Sequence, residues 1–152
     1  MGPSMITVLM GPPGAGKSTW VENHYEHGTH IFNTEAVRTK PGIDVQGFMR
    51  YERIKAIKAA QLGVDVIADG THTIPGHRAV WLQVAKELNI ETKIIAFDTP
   101  LLTLLQVQRQ RIHPAPDKVV VDHYRRFQLA KHVINREPWN YIEVIVRGIN
   151  DK

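Results

Sequence analysis

A glycine- and proline-rich octapeptide near the amino terminus carries the strongest chemical signal in the sequence. Residues 11–18, Gly-Pro-Pro-Gly-Ala-Gly-Lys-Ser, match G-x-x-x-x-G-K-[ST], the pattern of a phosphate-binding P-loop. Glycines let the backbone come close to a ligand, so that successive amide groups donate to phosphate oxygens beside a helix N-terminus. We therefore expect a nucleoside triphosphate, ATP or another, and Mg²⁺. The residues expected to contact the triphosphate are Gly11, Pro12, Pro13, Gly14, Ala15, Gly16, Lys17, Ser18 and Thr19.

Two side chains of this loop have distinct expected roles. Lys17 is placed to contact the β- and γ-phosphates as a catalytic cation, and Ser18 is placed to ligate Mg²⁺. The alternative is a glycine-rich turn with an unrelated lysine. The apolar segment 5–10 before the loop and the helical segment after it favour the P-loop, because strand, loop and helix are its usual context.

A second polar group follows the segment 30–33, which is predicted to be a strand. A P-loop alone does not distinguish a kinase from a switch or a motor, whereas a kinase must also orient a hydroxyl and remove its proton. Glu35 could accept that proton; the alternative is a carboxylate that stabilises a helix N-terminus. Arg38 lies one helical turn later and could bind an acceptor phosphate, pair with Glu35, or do both.

The end of the third predicted strand supplies a third polar group. Asp69 could hold Mg²⁺ or touch Ser18, as the acid of a Walker-B strand does, or it could only form a turn. Asp69, Thr71 and His72 are expected to line the acceptor side of the same edge, with His72 more typical of a helix cap or a phosphate contact than of catalysis. Arg78 either points to the acceptor or is solvated.

Two arginines precede a proline-rich turn at residues 112–117, which we predict to be the tip of a lid. Arg109 and Arg111 could neutralise charge on the transferred phosphate, although a helix C-terminus attracts cations in any case. The chain stays basic from Arg109 to Arg136. A solvated helix face and contacts with phosphates explain that run equally well.

Alternation of short apolar segments with helical patterns predicts the architecture that positions these residues. Strands are predicted at 5–10, 30–33, 64–69, 92–97 and 141–146, and helices at 18–25, 48–62, 75–88, 100–111 and 119–133. The pattern predicts an α/β fold with a parallel sheet of about five strands and helices on both faces. Ligands bind at the carboxyl ends of such strands, so we expect the three polar groups to converge there.

Composition limits the remaining possibilities. The chain has 152 residues, a formal charge of +4 and no cysteine, which excludes a disulfide scaffold and a thiolate site. A polyanionic partner is permitted but not required by that charge. No apolar run is long enough for a membrane span and no secretory leader is visible, so we expect a cytoplasmic protein, in the host cytoplasm if a phage encodes it. We expect residues 1–4 to be a cloning remnant and 5–152 a single domain, and the oligomeric state stays open.

Taken together, four segments resemble the phage-type polynucleotide kinase family, the 5′-hydroxyl kinases of nucleic-acid repair. The segments are Gly11–Ser18, Asn33–Arg38, Val66–His72 and the arginine-rich stretch before Pro116. The resemblance implies a P-loop kinase fold, with Glu35 as the general base and Arg38 on the 3′-phosphate of the acceptor. This sequence has glutamate where the family has aspartate, and Arg109 and Arg111 are too close together to occupy both lid positions of the family.

The resemblance leaves several acceptors open. We expect ATP-dependent phosphorylation of a nucleic acid, DNA or RNA, at a 5′-hydroxyl end. Phage DNA-hypermodification kinases, which act on 5-hydroxymethyl pyrimidines such as 5-hydroxymethyluracil, look like the same fold, and zeta-toxin-like kinases of sugar nucleotides are similar at a greater distance. A non-catalytic nucleotide-binding regulator is the fourth possibility, which the joint presence of Lys17, Ser18, Glu35 and Asp69 argues against.

Overall fold

A computed structural model describes residues 4–33, 42 and 44–147 as strands and helices in alternation. The strands are β1 (Met5–Met10), β2 (His30–Asn33), β3 (Val66–Asp69), β4 (Glu91–Asp98) and β5 (Tyr141–Val146). The helices are α1 (Lys17–His24), α2 (Val45–Gln61), α3 (Pro75–Leu88), α4 (Leu101–Arg109) and α5 (Asp117–Val133), followed by a 3₁₀ turn at Ile134–Arg136. Helix α2 begins before the predicted residue 48 because Asp44 caps it, its carboxylate accepting the Gly47 amide at 3.0 Å.

The five strands form one sheet in the order β2-β3-β1-β4-β5, and all neighbours are parallel. The predicted α/β fold with a parallel sheet covered on both faces is therefore confirmed. Strand β1 is central, and the chain order reverses beside it, which places the crevice of the sheet next to the loop after β1. In the register of β2 and β3, Asn33 lies beside Asp69, so both side chains reach the carboxyl edge together.

Two apolar cores hold the helices on opposite faces of the sheet. Successive residues of β1 alternate between them, with Val8 facing α2, α3 and part of α5, and Leu9 facing α1 and α4. Strand β5 is less covered, since Tyr141, Ile142, Val144 and Val146 are 38–70% exposed at the sheet edge. Within the described ranges, no helix is long and apolar enough to cross a bilayer.

Candidate active site

The loop between β1 and α1 has the backbone shape that its glycines permit. Gly14 and Gly16 have φ angles of +85° and +108°, in the left-handed region that disfavours a side chain. A Cβ on Gly14 would also lie 3.1 Å from Cγ1 of Val107. The loop is attached to the β3 edge, because the Gly11 amide donates to the Thr71 carbonyl at 3.0 Å. The first turn of α1 therefore points its amides into the space above the loop.

Lys17 lies folded against this loop. Its Nζ donates to the carbonyl oxygens of Gly11 at 2.5 Å and Pro12 at 2.9 Å, and the residue is 8% exposed. These two carbonyl oxygens are neutral hydrogen-bond acceptors. A phosphate oxygen can therefore replace them as a stronger, charged partner. Ser18 and Thr19, in the first turn of α1, are exposed to the same space.

A cavity of about 360 Å³ opens above the loop. Among the described residues, none of those lining it is acidic, so its field is positive and suits a polyphosphate. The end of α4 and the residue after β5 complete the wall that the loop begins. The lining residues are Pro13, Gly14, Gly16, Lys17, Ser18, Thr19, Val107, Gln110, Arg111 and Arg147.

The two predicted lid arginines point in different directions. Arg111 lines the cavity, and its Nη2 lies 3.8 Å from the position of a Cβ on Gly14. Arg109 does not line the cavity; it is exposed and pairs with Asp117 at 3.0 Å. Helix α4 ends at Arg109, and the turn that follows sends the next side chains elsewhere. The expectation that both arginines face the phosphates is corrected for Arg109, which the structure places in a surface ion pair.

Sequence reasoning missed Arg147. This residue follows β5, and its Nη1 donates to the Gly14 carbonyl at 3.3 Å while its backbone amide donates to the Asp98 carbonyl at 3.2 Å. The guanidinium thus reaches the P-loop from the end of β5 and lines the same cavity as Arg111. The rule that ligands bind beyond the carboxyl ends of strands was a usable signal, had it been applied to the residue after β5.

Asp69 ends β3, one strand from the P-loop, and is 7% exposed. Its Oδ2 accepts a hydrogen bond from Nδ2 of Asn33 at 3.0 Å. P-loop NTPases hold Mg²⁺ with a serine or threonine, one carboxylate, phosphate oxygens and water, and Ser18 and Asp69 fit that donor set. No group of three or more His, Cys, Asp or Glu residues in the described part could hold a metal ion alone.

His72 is a buried structural residue. Trp81 Nε1 donates to its Nε2 at 3.2 Å, which leaves Nδ1 to donate to the Leu9 carbonyl at 2.7 Å. Burial lowers the pKa of His72 to about 4, against the opposing effect of hydrogen bonds to the carbonyls of Leu9 and Gly70. The ring is neutral near pH 7 and both nitrogens are used. The expected cap or phosphate contact is therefore wrong for His72.

Arg78 is also corrected. Its side chain has no exposed surface; Nε and Nη2 donate to the Glu137 carboxylate at 2.9 and 2.8 Å, and Nη1 donates to the His72 carbonyl at 3.0 Å. Both expectations fail, since the guanidinium is neither solvated nor directed at an acceptor. Partial burial acts to raise the pKa of Glu137, but hydrogen bonds from Arg78 and Trp139 and the charge of Arg78 outweigh it, and the pKa is lowered.

A second pocket of about 50 Å³ lies between α2 and α3, on the side of β3 away from β1. It is lined by Asp69, Thr71 and His72, the residues predicted for the acceptor side of this edge. That an acceptor binds there remains a prediction. Its helical wall was not predicted. The lining residues are Phe32, Met49, Arg53, Asp69, Gly70, Thr71, His72, His77, Val80 and Trp81.

The predicted general base and its neighbour, Glu35 and Arg38, lie outside the described residues. Their roles remain predictions. The last described residue before them in the sequence is Asn33, which ends β2 beside Asp69.

Comparison with protein families gives one match. The model of the AAA_33 family, described as an AAA domain, matches residues 6–130. A comparison of the sequence with curated proteins found no significant match.

Solved structures share the fold at low sequence identity. A chain from the PezAT chromosomal toxin–antitoxin system of Streptococcus pneumoniae is 17% identical, with a TM-score of 0.61 over 95% of this chain and 69% of that one. Deoxyadenosine kinase from M. mycoides with bound dATP is 16% identical, with a TM-score of 0.59 over 97% and 92%. A chain of a Pnkp1/Rnl/Hen1 complex is 16% identical, with a TM-score of 0.59 over 76% and 42%, so this chain spans less than half of it. These likenesses establish a P-loop, kinase-like fold.

Proposed function

This chain belongs to the AAA_33 family, and on that premise we propose that it is an ATP- and Mg²⁺-dependent phosphotransferase. Its acceptor is a hydroxyl of a nucleic acid, the 5′-hydroxyl of a polynucleotide end. The observation that carries the proposal is the pair of cavities at one sheet edge, with Asp69 and Thr71 on the wall of the smaller one and Thr71 bonded to the P-loop. Such an arrangement suits a donor on one side and an acceptor on the other.

The donor half of the reaction is supported by contacts of the described residues. On binding, phosphate oxygens replace the Gly11 and Pro12 carbonyls as partners of Lys17. Arg111, on the α4 side of the cavity, neutralises charge that develops on the γ-phosphate and the leaving oxygen. Ser18 and Asp69 would hold Mg²⁺, which would supply charge neutralisation for the triphosphate. The cations are in place before the reaction begins, and this preorganisation accounts for most of their contribution to catalysis.

The acceptor half rests on the resemblance to polynucleotide kinases. The acceptor hydroxyl oxygen attacks the γ-phosphorus, the bond from that phosphorus to the β–γ bridging oxygen breaks, and ADP leaves. Glu35 takes the hydroxyl proton as general base, and Arg38 binds an acceptor phosphate.

A second candidate acceptor is the hydroxymethyl group of a pyrimidine base in DNA. The observation that favours it is Glu35 itself, because glutamate is one methylene longer than the aspartate of polynucleotide kinases. A general-base carboxylate that lies further from the protein backbone suits an acceptor hydroxyl at a different position from the 5′-hydroxyl of polynucleotides.

An acceptor panel tests the proposal. The protein is incubated with γ-labelled ATP and Mg²⁺ and with 5′-hydroxyl DNA, 5′-hydroxyl RNA, hydroxymethyluracil DNA or free nucleosides, beside Lys17→Ala as the inactive control. Label at the 5′ end of oligonucleotides supports the first candidate, and label on hydroxymethyluracil DNA alone supports the second. A polynucleotide acceptor also predicts affinity that falls steeply with salt. Label on free nucleosides alone would exclude a nucleic-acid acceptor, and no label on any acceptor would exclude the kinase.

A further inference from the structure

The small pocket between α2 and α3 contains chemistry that the proposed catalytic residues do not use. Met49 and Arg53 enter it from α2, and His77 and Val80 enter it from α3. Its base is apolar, with Phe32 and Trp81 in edge-to-face contact at 5.1 Å. The volume of about 50 Å³ has room for one small group rather than a ring system, since pockets for whole small molecules are about 300–1,000 Å³.

Arg53 is the principal cation of this pocket. It is half-buried, and in the described part of the chain no carboxylate lies within ion-pair distance of it. The preceding residue, Glu52, is already paired with Lys55 at 2.9 Å. A half-buried guanidinium beside an apolar floor keeps its full charge and its fork of donors for a ligand.

Arg53 determines whether the charges that line this pocket can attract an anion. Asp69 contributes a carboxylate to the inner wall, where Asn33 donates to it, and His77 adds an imidazole at the outer rim. Arg53 places a positive charge on the wall of the same pocket and so offsets the carboxylate of Asp69. Without Arg53, the described residues of the pocket include the Asp69 carboxylate but no arginine or lysine to attract an anion.

We propose that this pocket binds a phosphate of the acceptor through Arg53, with His77 beside it, as a specificity-determining contact. The inference rests on the proposed function and deepens it, because it assigns the acceptor to phosphate-bearing nucleotides and not to free nucleosides. A planar guanidinium binds a phosphate through two parallel hydrogen bonds, which lysine does not reproduce.

Binding measured without transfer tests the site. Calorimetric titrations compare thymidine, thymidine 3′-monophosphate and a 5′-hydroxyl dithymidine bearing two phosphates, in wild type, Arg53→Gln, Arg53→Lys and Arg50→Gln. Arg50 is exposed on the same helix and does not line the pocket, so its variant controls for the loss of one charge. Affinity is expected to rise with each added phosphate. Arg53→Gln is expected to remove one of these two gains, which is a loss of about ten- to a hundredfold in affinity, and to leave the affinity for thymidine unchanged.

The remaining outcomes separate the site from the reaction. Arg53→Lys is expected to retain part of the affinity, because it keeps the charge but loses the fork. Equal losses in Arg50→Gln and Arg53→Gln, or an unchanged phosphate preference in Arg53→Gln, would overturn the site while leaving transfer by wild type intact. If phosphate binding depends on Arg53 but no acceptor of the panel is labelled, the site stands and the proposed reaction fails.

Discussion

The two cavities at the carboxyl edge of the sheet differ in how the cations beside them are held. Above the P-loop, Lys17 and Arg147 donate to backbone carbonyls. Behind the smaller pocket, Arg78 is matched by the Glu137 carboxylate and by the His72 carbonyl. A cation on carbonyls retains a charge for a ligand, whereas a cation on a carboxylate has been neutralised by the fold. Arg78 therefore stabilises the fold behind the smaller pocket, whereas Arg53 on the wall of that pocket is left to bind a ligand.

Removing the P-loop cation should have the largest effect. Lys17→Ala is expected to lower the rate of phosphate transfer by about a thousandfold or more, because it deletes a charge aimed at the transferred phosphate. The melting temperature should stay close to that of wild type, since carbonyl partners can be satisfied by water. Rates and thermal unfolding are measured together, with Lys118→Ala, an exposed residue of α5, as the control. Retained transfer would remove Lys17 from the reaction.

Removing Arg78, the cation that is paired with a carboxylate, should lower the stability of the fold. Arg78→Leu leaves Glu137 without its partner and is expected to lower the free energy of unfolding by about 3–5 kcal/mol. Urea unfolding measures this loss, and Glu137→Gln, which keeps a hydrogen-bond acceptor, should cost less. An Arg78→Leu protein with unchanged stability would contradict the structural role that the comparison assigns.

Low pH should destabilise the folded protein through His72. The pKa of His72 in the folded protein, about 4, lies below the ordinary value of 6.5. Between these two values, His72 is mainly protonated in the unfolded chain and mainly neutral in the folded protein. Stability from this group is complete above pH 6.5 and falls as the pH drops toward 4, by up to about 2–3 kcal/mol. Asparagine tolerates the φ of +49° at this position, so His72→Asn should flatten this part of the urea-unfolding profile. An identical slope in both proteins would refute a neutral buried ring.

The two arginines at the end of α4 test the cavity boundary. Arg111→Ala is expected to lower kcat by about ten- to a hundredfold, because the side chain faces the phosphates. Arg109→Ala should change kcat by less than about threefold, since an exposed ion pair contributes little. Steady-state kinetics of both variants measure these changes in kcat. A larger loss of kcat in Arg109→Ala than in Arg111→Ala would place Arg109, and not Arg111, at the phosphates.

Arg147 should give the smallest change. Arg147→Ala is expected to raise KM for ATP by about three- to tenfold with little change in kcat, because the residue contacts the loop and the cavity wall throughout the reaction. A fall in kcat at constant KM would instead assign Arg147 to the transition state.

The sequence predicts this architecture where its signals are local. The P-loop occupies one continuous segment, and the alternation of strands and helices determines the sheet, so both could be predicted before any coordinates. Arg78 and Glu137 lie 59 positions apart, and Arg147 lies 133 positions from Gly14. No periodicity connects such residues, because their contacts depend on how helices pack over the sheet.

The divergence of Arg109 and Arg111 had a different cause. Both lie in one basic run, but a helix that ends at Arg109 changes the direction of the next side chains. Sequence reasoning places a helix end to within a few residues, which is too coarse to choose between neighbours. His72 was misassigned for a related reason, since its left-handed φ turns the ring into the core.

The central claim is that a carboxylate on the acceptor side activates a hydroxyl toward the phosphate held above the P-loop. The most direct test is the single-turnover rate of label transfer from ATP to a 5′-hydroxyl oligonucleotide in wild type and Glu35→Gln, with ATP affinity measured in both. We expect Glu35→Gln to transfer about 10²- to 10⁴-fold more slowly while binding ATP as tightly as wild type. A Glu35→Gln protein that transfers phosphate at the wild-type rate would contradict the account.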